Sequence, residues 1–231
     1  NIIEVGSGTC QWSNYFAIGT NNNVCAFDSS LNSLKIGSNF AKKNNIKNIS
    51  FVRGDIFEEI FQEEVFDFLI CNGVLHHTKN PYQGFQNIIK SLKKNGYIIV
   101  GLYNKIGRFR TKFRKYVYKF FGKGIITLLD PVLRKTDKNS HAKINAWIKD
   151  QYLHPVESTH TFDEILNWFD KNNIEFINSV PKLSLLEEQA NNFFKKRNRA
   201  SLFERILSQI IMIFDRPGSE GAIFIFIGKK K

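Results

Sequence analysis

Residues 1–10 read NIIEVGSGTC: the apolar pair Ile2 and Ile3, an acid at Glu4, then Val5 and two glycines, Gly6 and Gly8, one residue apart. A strand that ends in Gly-x-Gly and runs into a helix lets the main chain approach a ligand where a Cβ would clash, at the carboxyl end of a sheet. A dinucleotide loop would carry a third glycine three residues after Gly8, but Gln11 stands there, so no pyrophosphate is expected on the helix terminus. Cys10 is small enough to sit where that helix packs on the strand. Short apolar runs of the same kind recur at 24–27, 49–52, 66–71 and 97–102, separated by helical spacers. That is the rhythm of βαβ units and of a parallel sheet buried on both faces. Two further runs, 175–180 and 222–227, bring the expected strands to seven.

The chain has 231 residues, 42% of them hydrophobic and 22 of them Phe, enough to fill the core of one large domain. Cys10, Cys25 and Cys71 lie in apolar segments without C-x-x-C or Cys…His spacing. This speaks against a disulfide framework or a zinc site and fits a reducing cytoplasm. The longest apolar stretches, 206–214 and 222–227, fall short of the ~20 residues that span a bilayer. A start directly on a strand-like run, with neither Met nor a signal-peptide pattern, reads as a trimmed chain that has lost a helix upstream.

The formal net charge of +12 is unevenly placed: 105–123 carries eight basic residues and no acid, 195–199 carries four and 229–231 three, which leaves the remainder near −3. Such runs are either solvated lysine faces or binding surfaces. The stripe Phe85, Ile88, Ile89, Leu92 predicts a helix that Asn95-Gly96 ends. The basic, aromatic stretch 103–150 is too long for an ordinary connection and reads as a helical insertion. Thr161 followed by Phe162, Asp163 and Glu164 marks a helix start with an N-cap and acids in the first turn. A second helical insertion at 182–214 shows helical spacing at Leu202, Ile206, Ile210 and Ile213, and Pro217-Gly218 makes a turn before the last strand.

Candidate functional residues sit at strand ends. Asp28 closes the second strand 20 residues after Gly8, where an acid accepts both ribose hydroxyls of an adenosine or caps the next helix. In FVRGDIF, Asp55 lies just past the third strand, where a carboxylate can take an adenine amino group while Ile56 offers the ring an apolar face. In FDFLICNGVLHHTKNP, Asn72 ends the fourth strand with His76 and His77 behind it.

Taken together, EVGSG, AFDSS, GDI and NGVLHHTKNP resemble the class I S-adenosylmethionine-dependent methyltransferases, closely over residues 1–102 and more loosely from Thr161 onward. The resemblance implies a Rossmann-like α/β fold: a doubly wound, mostly parallel seven-stranded sheet, here with helical insertions after strands five and six. The chain then divides as one domain, with a cofactor-binding half (1–103), a basic helical insertion (104–160) and a C-terminal half (161–231) that holds the insertion at 182–214. It further implies S-adenosylmethionine as cofactor, with Gly6 and Gly8 at the methionine moiety, Asp28 on ribose, Asp55 with Ile56 on adenine, and Glu4 supporting the loop. Asn72 is expected at the methionine end. A ligand without a diphosphate also accounts for the missing third glycine.

LHHTKNP followed by GLYN is similar to the small-molecule branch of the family, so the expected reaction is methyl transfer to a small-molecule O, N or C acceptor. His77 and His76 are the candidate bases, and Tyr103 and Asn104 are placed beside the acceptor. In DQYLHPVESTH, Tyr152, His154 and Glu157 form either an acceptor wall or a turn cluster around Pro155. The His-x-x-Glu there lacks a third ligand, so no metal is expected. The run KIGRFRTKFRKYVYKFFGK keeps two alternatives open: an RNA methyltransferase, or a non-catalytic membrane-surface or scaffold protein on anionic lipid. The chain has no separate RNA-binding module and no Asn-Pro-Pro-Tyr signature, and its retention of Glu4, Asp28 and Asp55 argues against a dead fold.

Overall fold

The computed structural model describes residues 1–137, 140–186, 192–214 and 222–231. Strands β1 (Ile2–Val5), β2 (Val24–Asp28), β3 (Ile49–Arg53), β4 (Phe66–Asn72), β5 (Leu92–Tyr103), β6 (Ile174–Val180) and β7 (Ile223–Lys230) form a single sheet in the order β3-β2-β1-β4-β5-β7-β6. The first five run parallel, with helical crossovers after β1, β2 and β4; the helical spacer expected between β3 and β4 is absent, and that connection runs through turns. β7 runs antiparallel between β5 and β6. The order reverses between β1 and β4, and the carboxyl ends of these two strands border the crevice that such a reversal opens.

Helices α1 (Gln11–Ala17) and α2 (Leu31–Lys43) follow β1 and β2, and α3 (Pro81–Lys90) follows β4. The helix expected to run to Asn95 starts and stops earlier. Asn80 caps it by accepting from the Gln83 amide at 3.2 Å, Pro81 occupies the first turn, and the chain is already paired with Phe66 by Leu92. Asn95, with φ +64°, serves instead in an irregularity of β5 opposite the shift at Phe66 and Phe68. The core on this side of the sheet joins Ile3, Val5, Leu69, Ile98 and Leu102 to Phe85 of α3. Phe162 and Phe169 of α7 (Phe162–Lys171) close it against Phe224 and Phe226; each such ring contributes about 1.5–3 kcal/mol on burial. Thr161 caps α7 by accepting from the Glu164 amide at 3.2 Å.

After β5 the chain forms α4 (Phe109–Leu129), kinked at Gly122 where φ is +72°, then α5 (Pro131–Lys135) and α6 (His141–Tyr152). These helices hold a small core of their own: Ile126, Leu133, Ile144, Ile148 and Tyr152. After β6 comes α8 (Leu202–Phe214), whose inner face carries Ser208, Gln209 and Met212. Leu202, Ile206 and Ile210, the visible apolar stripe of the sequence, face outward. The expected Pro217-Gly218 turn lies outside the described residues. Over β4, β5 and β7 on the opposite sheet face lies an apolar groove of about 920 Å³ that reaches Asn72.

Candidate active site at the carboxyl edge of the sheet

The Gly6 to Gly8 turn is tied to β2 by the Gly6 and Ser7 amides, which donate to the Phe27 carbonyl at 2.8 and 3.0 Å. Gly6 has φ +68°, and a Cβ there would stand 2.2 Å from Cγ2 of Val74, in the turn after β4. Glycine therefore lets the β1 and β4 turns close on each other. Gly8, at φ +53°, has open space where a Cβ would project, and its amide donates to Asp28 Oδ2 at 2.8 Å. The other oxygen of Asp28 accepts from the Ser30 amide at 2.7 Å, while Ser30 itself caps α2. Asp28 thus shapes the glycine turn rather than capping the helix, and each of its oxygens keeps a lone pair for a ligand.

Glu4 turns away from the mouth and accepts from the amide of Ser13 at 2.8 Å and from its hydroxyl, anchoring α1 to β1. Burial pushes its carboxyl above the ordinary range despite those bonds. Cys10 is fully buried against Gly37 of α2, where a Cβ on Gly37 would meet it at 2.5 Å. Asp55 stands in an exposed turn past β3, accepting from the Phe57 amide at 3.0 Å. The Ile56 side chain packs inward on Gly84 of α3. Asn72, level with Gly101 of β5, carries a buried Oδ1 with no hydrogen-bond partner. An orphaned buried acceptor is costly unless a ligand or water satisfies it, and this one lies at the end of β4 against Gly101 of β5.

His76 and His77 form a single 3₁₀ turn (Leu75–His77) directly after that strand end. They point in different directions. His76 is fully buried, stacks on Tyr103 at 3.8 Å between ring centres, and has no partner on either nitrogen. Burial, reinforced by the neighbouring His77 and Arg108, drives its pKa down to about 2, so it is a neutral ring and no base at working pH. His77 is half-buried, with Nδ1 3.2 Å from the Val156 carbonyl, its ring 3.9 Å from that of His154, and Nε2 3.9 Å from Asp150 Oδ1. Burial lowers its pKa, and the Val156 carbonyl and the charge of Asp150 partly oppose this.

The buried His76 makes a stability prediction. Its ordinary pKa of about 6.5 returns on unfolding, so below that pH the unfolded chain binds a proton that the folded chain refuses. Stability is fully present above pH 6.5 and is lost as pH falls from there toward the folded value, at about 1.4 kcal/mol per pH unit. Chemical denaturation between pH 7 and 5 is expected to show at least this slope, and His76→Leu is expected to reduce it, leaving the share of His77, whose pKa is also lowered.

The wall facing the histidines is built around Arg108, which is fully buried. Its guanidinium lies 3.5 Å over the Tyr103 ring and donates twice to Glu157, both bonds at 3.0 Å. Gln151 accepts from Arg108 at 3.1 Å and donates to the Tyr103 hydroxyl at 3.1 Å. Tyr103 is therefore sandwiched between His76 and Arg108. Burial pushes Glu157 up, but the hydrogen bonds and charge of Arg108 outweigh it and hold the carboxyl below its ordinary value. His154 turns its Nδ1 toward the Val156 carbonyl. Two of the sequence candidates are spent elsewhere: Asn104 receives the Ile106 and Gly107 amides and donates to Gln209, and Tyr152 donates to Asp130 inside the insertion core. Sequence reasoning missed Arg108 and Gln151; the first was one of eight cations in its run and the second carried no signal.

Seven strands in this order with a glycine turn and an acid at neighbouring strand ends define a nucleotide-type cofactor fold. A family model described as a methyltransferase domain matches residues 1–160, and the chain belongs to that family. The ubiquinone biosynthesis O-methyltransferase of Rickettsia akari (strain Hartford) is 33% identical over 119 residues, covering 52% of this chain and 42% of that protein. A demethylmenaquinone methyltransferase of Listeria welshimeri is 28% identical over 100 residues, 42% of each. The chain thus spans less than half the length of these relatives. Among solved structures, PKMT2 from Rickettsia typhi superposes with a TM-score of 0.69 at 12% identity, covering 100% of this chain and 48% of that one. The [4+2]-cyclase SpnF superposes with a TM-score of 0.55 at 13% identity, covering 99% and 73%. Likenesses this remote carry the fold and leave the chemistry to the site.

Proposed function

We propose that this chain is an S-adenosylmethionine-dependent methyltransferase domain acting on a small-molecule O, N or C acceptor. The observation that carries the reading is the row of strand ends: an open glycine turn at Gly6 and Gly8, Asp28 with free lone pairs, and the orphaned Asn72 Oδ1. These residues fit the cofactor, with the glycine turn and Asn72 suited to its methionine end, Asp28 to ribose and Asp55 to adenine. When bound, the cofactor supplies a methyl group activated by a sulfonium. The chain's share is position, dryness and a proton route. Arg108, Glu157 and Gln151 fix Tyr103 and exclude water from its far side, and residues 104–160 then form the acceptor side of a single domain. His77 holds its Nδ1 proton toward Val156 and keeps Nε2 for the acceptor's proton. The quinone-related names of the relatives support a small-molecule acceptor. The buried free thiols of Cys10, Cys25 and Cys71 support a reducing, cytoplasmic setting.

Titration calorimetry with S-adenosylhomocysteine tests the reading. Binding is expected for the wild-type chain and at least tenfold weaker binding for Asp28→Ala, since a charged hydrogen-bond acceptor is worth about 1.5–3 kcal/mol. A wild-type chain that binds nothing, or a variant with unchanged affinity, overturns it.

A further inference from the structure

We infer that α4 and α8 together form a docking face for an anionic lipid bilayer. On α4, Phe109, Phe113, Tyr116 and Phe120 are each more than 60% exposed. Their i, i+4, i+7, i+11 spacing confines them to an arc of about 60° on the helix. On α8 the same spacing gives Phe203, Leu207, Ile210 and Phe214, with Phe203 and Phe214 about 70% exposed. The two helices meet where Arg110 donates to the Ile213 carbonyl at 3.4 Å and where Met212 packs on Gly107. Two exposed apolar stripes thus lie on adjoining helices.

Charge selects the occupant. The helix α4 contains no acid, and helical geometry puts Lys112 and Lys119 along one flank of its aromatic stripe and Arg110 along the other. Aromatic rings at headgroup depth with cations reaching lipid phosphates make an interfacial helix. A protein partner would have to bury lysines, which interface cores exclude. Single-stranded nucleic acid stacks on aromatics set in a basic groove; of the stripe only Tyr116 borders such a cavity, while Phe109, Phe113 and Phe120 project from a convex helix. Among the described residues no helix is long and apolar enough to cross a membrane, so the contact is peripheral. Lys112, Lys115 and Lys119 also line a cavity of about 620 Å³ that reaches Glu157 and Tyr152. Docking therefore places the headgroup region at the rim of the candidate acceptor wall.

Co-sedimentation with vesicles tests the face without turnover, so its outcome is independent of cofactor binding. The chain is expected to partition onto phosphatidylcholine vesicles that contain phosphatidylglycerol, weakly onto phosphatidylcholine alone, and less as salt rises. Phe113→Ser with Phe120→Ser is expected to abolish binding. Lys112→Gln with Lys119→Gln is expected to weaken it about 25-fold, about fivefold per cation. None of the four side chains is buried, so the melting temperature and affinity for S-adenosylhomocysteine are expected to stay at wild-type values and report an intact fold. The inference is overturned if the wild-type chain ignores the mixed vesicles. It is equally overturned if the variants partition like wild type, if the face pairs two copies of the chain in sedimentation velocity, or if it binds single-stranded RNA in place of lipid.

Discussion

His77→Ala is expected to lower the rate of methyl transfer by about 10²–10⁴ while S-adenosylhomocysteine binds as it does to wild type. The expectation rests on the ring's fixed orientation. With Nδ1 committed to the Val156 carbonyl, the lone pair lies on Nε2, on the side of Asp150 and His154. Burial lowers the pKa, so the ring is neutral and able to accept a proton throughout the neutral range. As pH falls through that lowered value the base is protonated and the rate drops, giving an acidic limb below about 6.5. The alanine variant is expected to lose the limb. Removing the charge of Asp150, as in Asp150→Asn, is expected to move the limb further down. If His77→Ala keeps its rate and loses cofactor affinity instead, His77 is a support for the turn after β4 and not a base. The size of the effect also reports on the acceptor: a hydroxyl needs the base, a thiolate does not.

Arg108→Ala is expected to cost about 3–5 kcal/mol of stability, because the buried Glu157 would lose both of its guanidinium hydrogen bonds and keep only the longer ion pair with Lys115, at 3.8 Å. For a chain of this length that corresponds to a melting temperature lower by roughly 6–20 °C, measurable by calorimetry. Arg108→Met combined with Glu157→Leu is expected to recover most of the loss, since removing both charges also removes their desolvation cost. Adding the single variants Arg108→Met and Glu157→Leu completes a cycle that separates the ion pair from the packing of the guanidinium on Tyr103, which both Arg108 variants forfeit. A single variant as stable as wild type would show that the pair does not hold the wall together.

The sheet was legible because its information is local. Apolar runs, glycine turns and acids at strand ends are readable within a few residues, and the five parallel strands lie where those runs lie. The end of α3 was misplaced because the stripe continues through Leu92, and only pairing with Phe66 on another strand decides that Leu92 is β. On α8 the period is visible, yet nothing local tells which face turns inward; Gln209 does so because Asn104 and the Phe162 amide meet it there. The same limit explains the site. Asp28 and the glycine turn share one neighbourhood, whereas Arg108 is set apart from the other cations of its run by Glu157 and Gln151, met across the fold. Tyr152 and Asn104 stand close to the site in sequence, and partners on the insertion and on α8 draw their polar atoms away from it.

The small core of Ile126, Leu133, Ile144, Ile148 and Tyr152 is separate from the main one, and the joint between them includes the polar contacts of Arg108, Glu157 and Gln151 with Tyr103. Apolar continuity is what makes two parts of a chain melt as one, and a polar joint lets them part at a lower free energy than global unfolding. The helices α4 to α6 are therefore expected to open as a unit of their own, their amides exchanging with solvent while those of β4 and β5 stay protected, which a hydrogen-exchange measurement checks. Such an opening frees Tyr103 on one side and leaves the glycine turn and Asp28 in place. Opening at the wall around Arg108 and retention at the glycine turn are thereby expected as separate events.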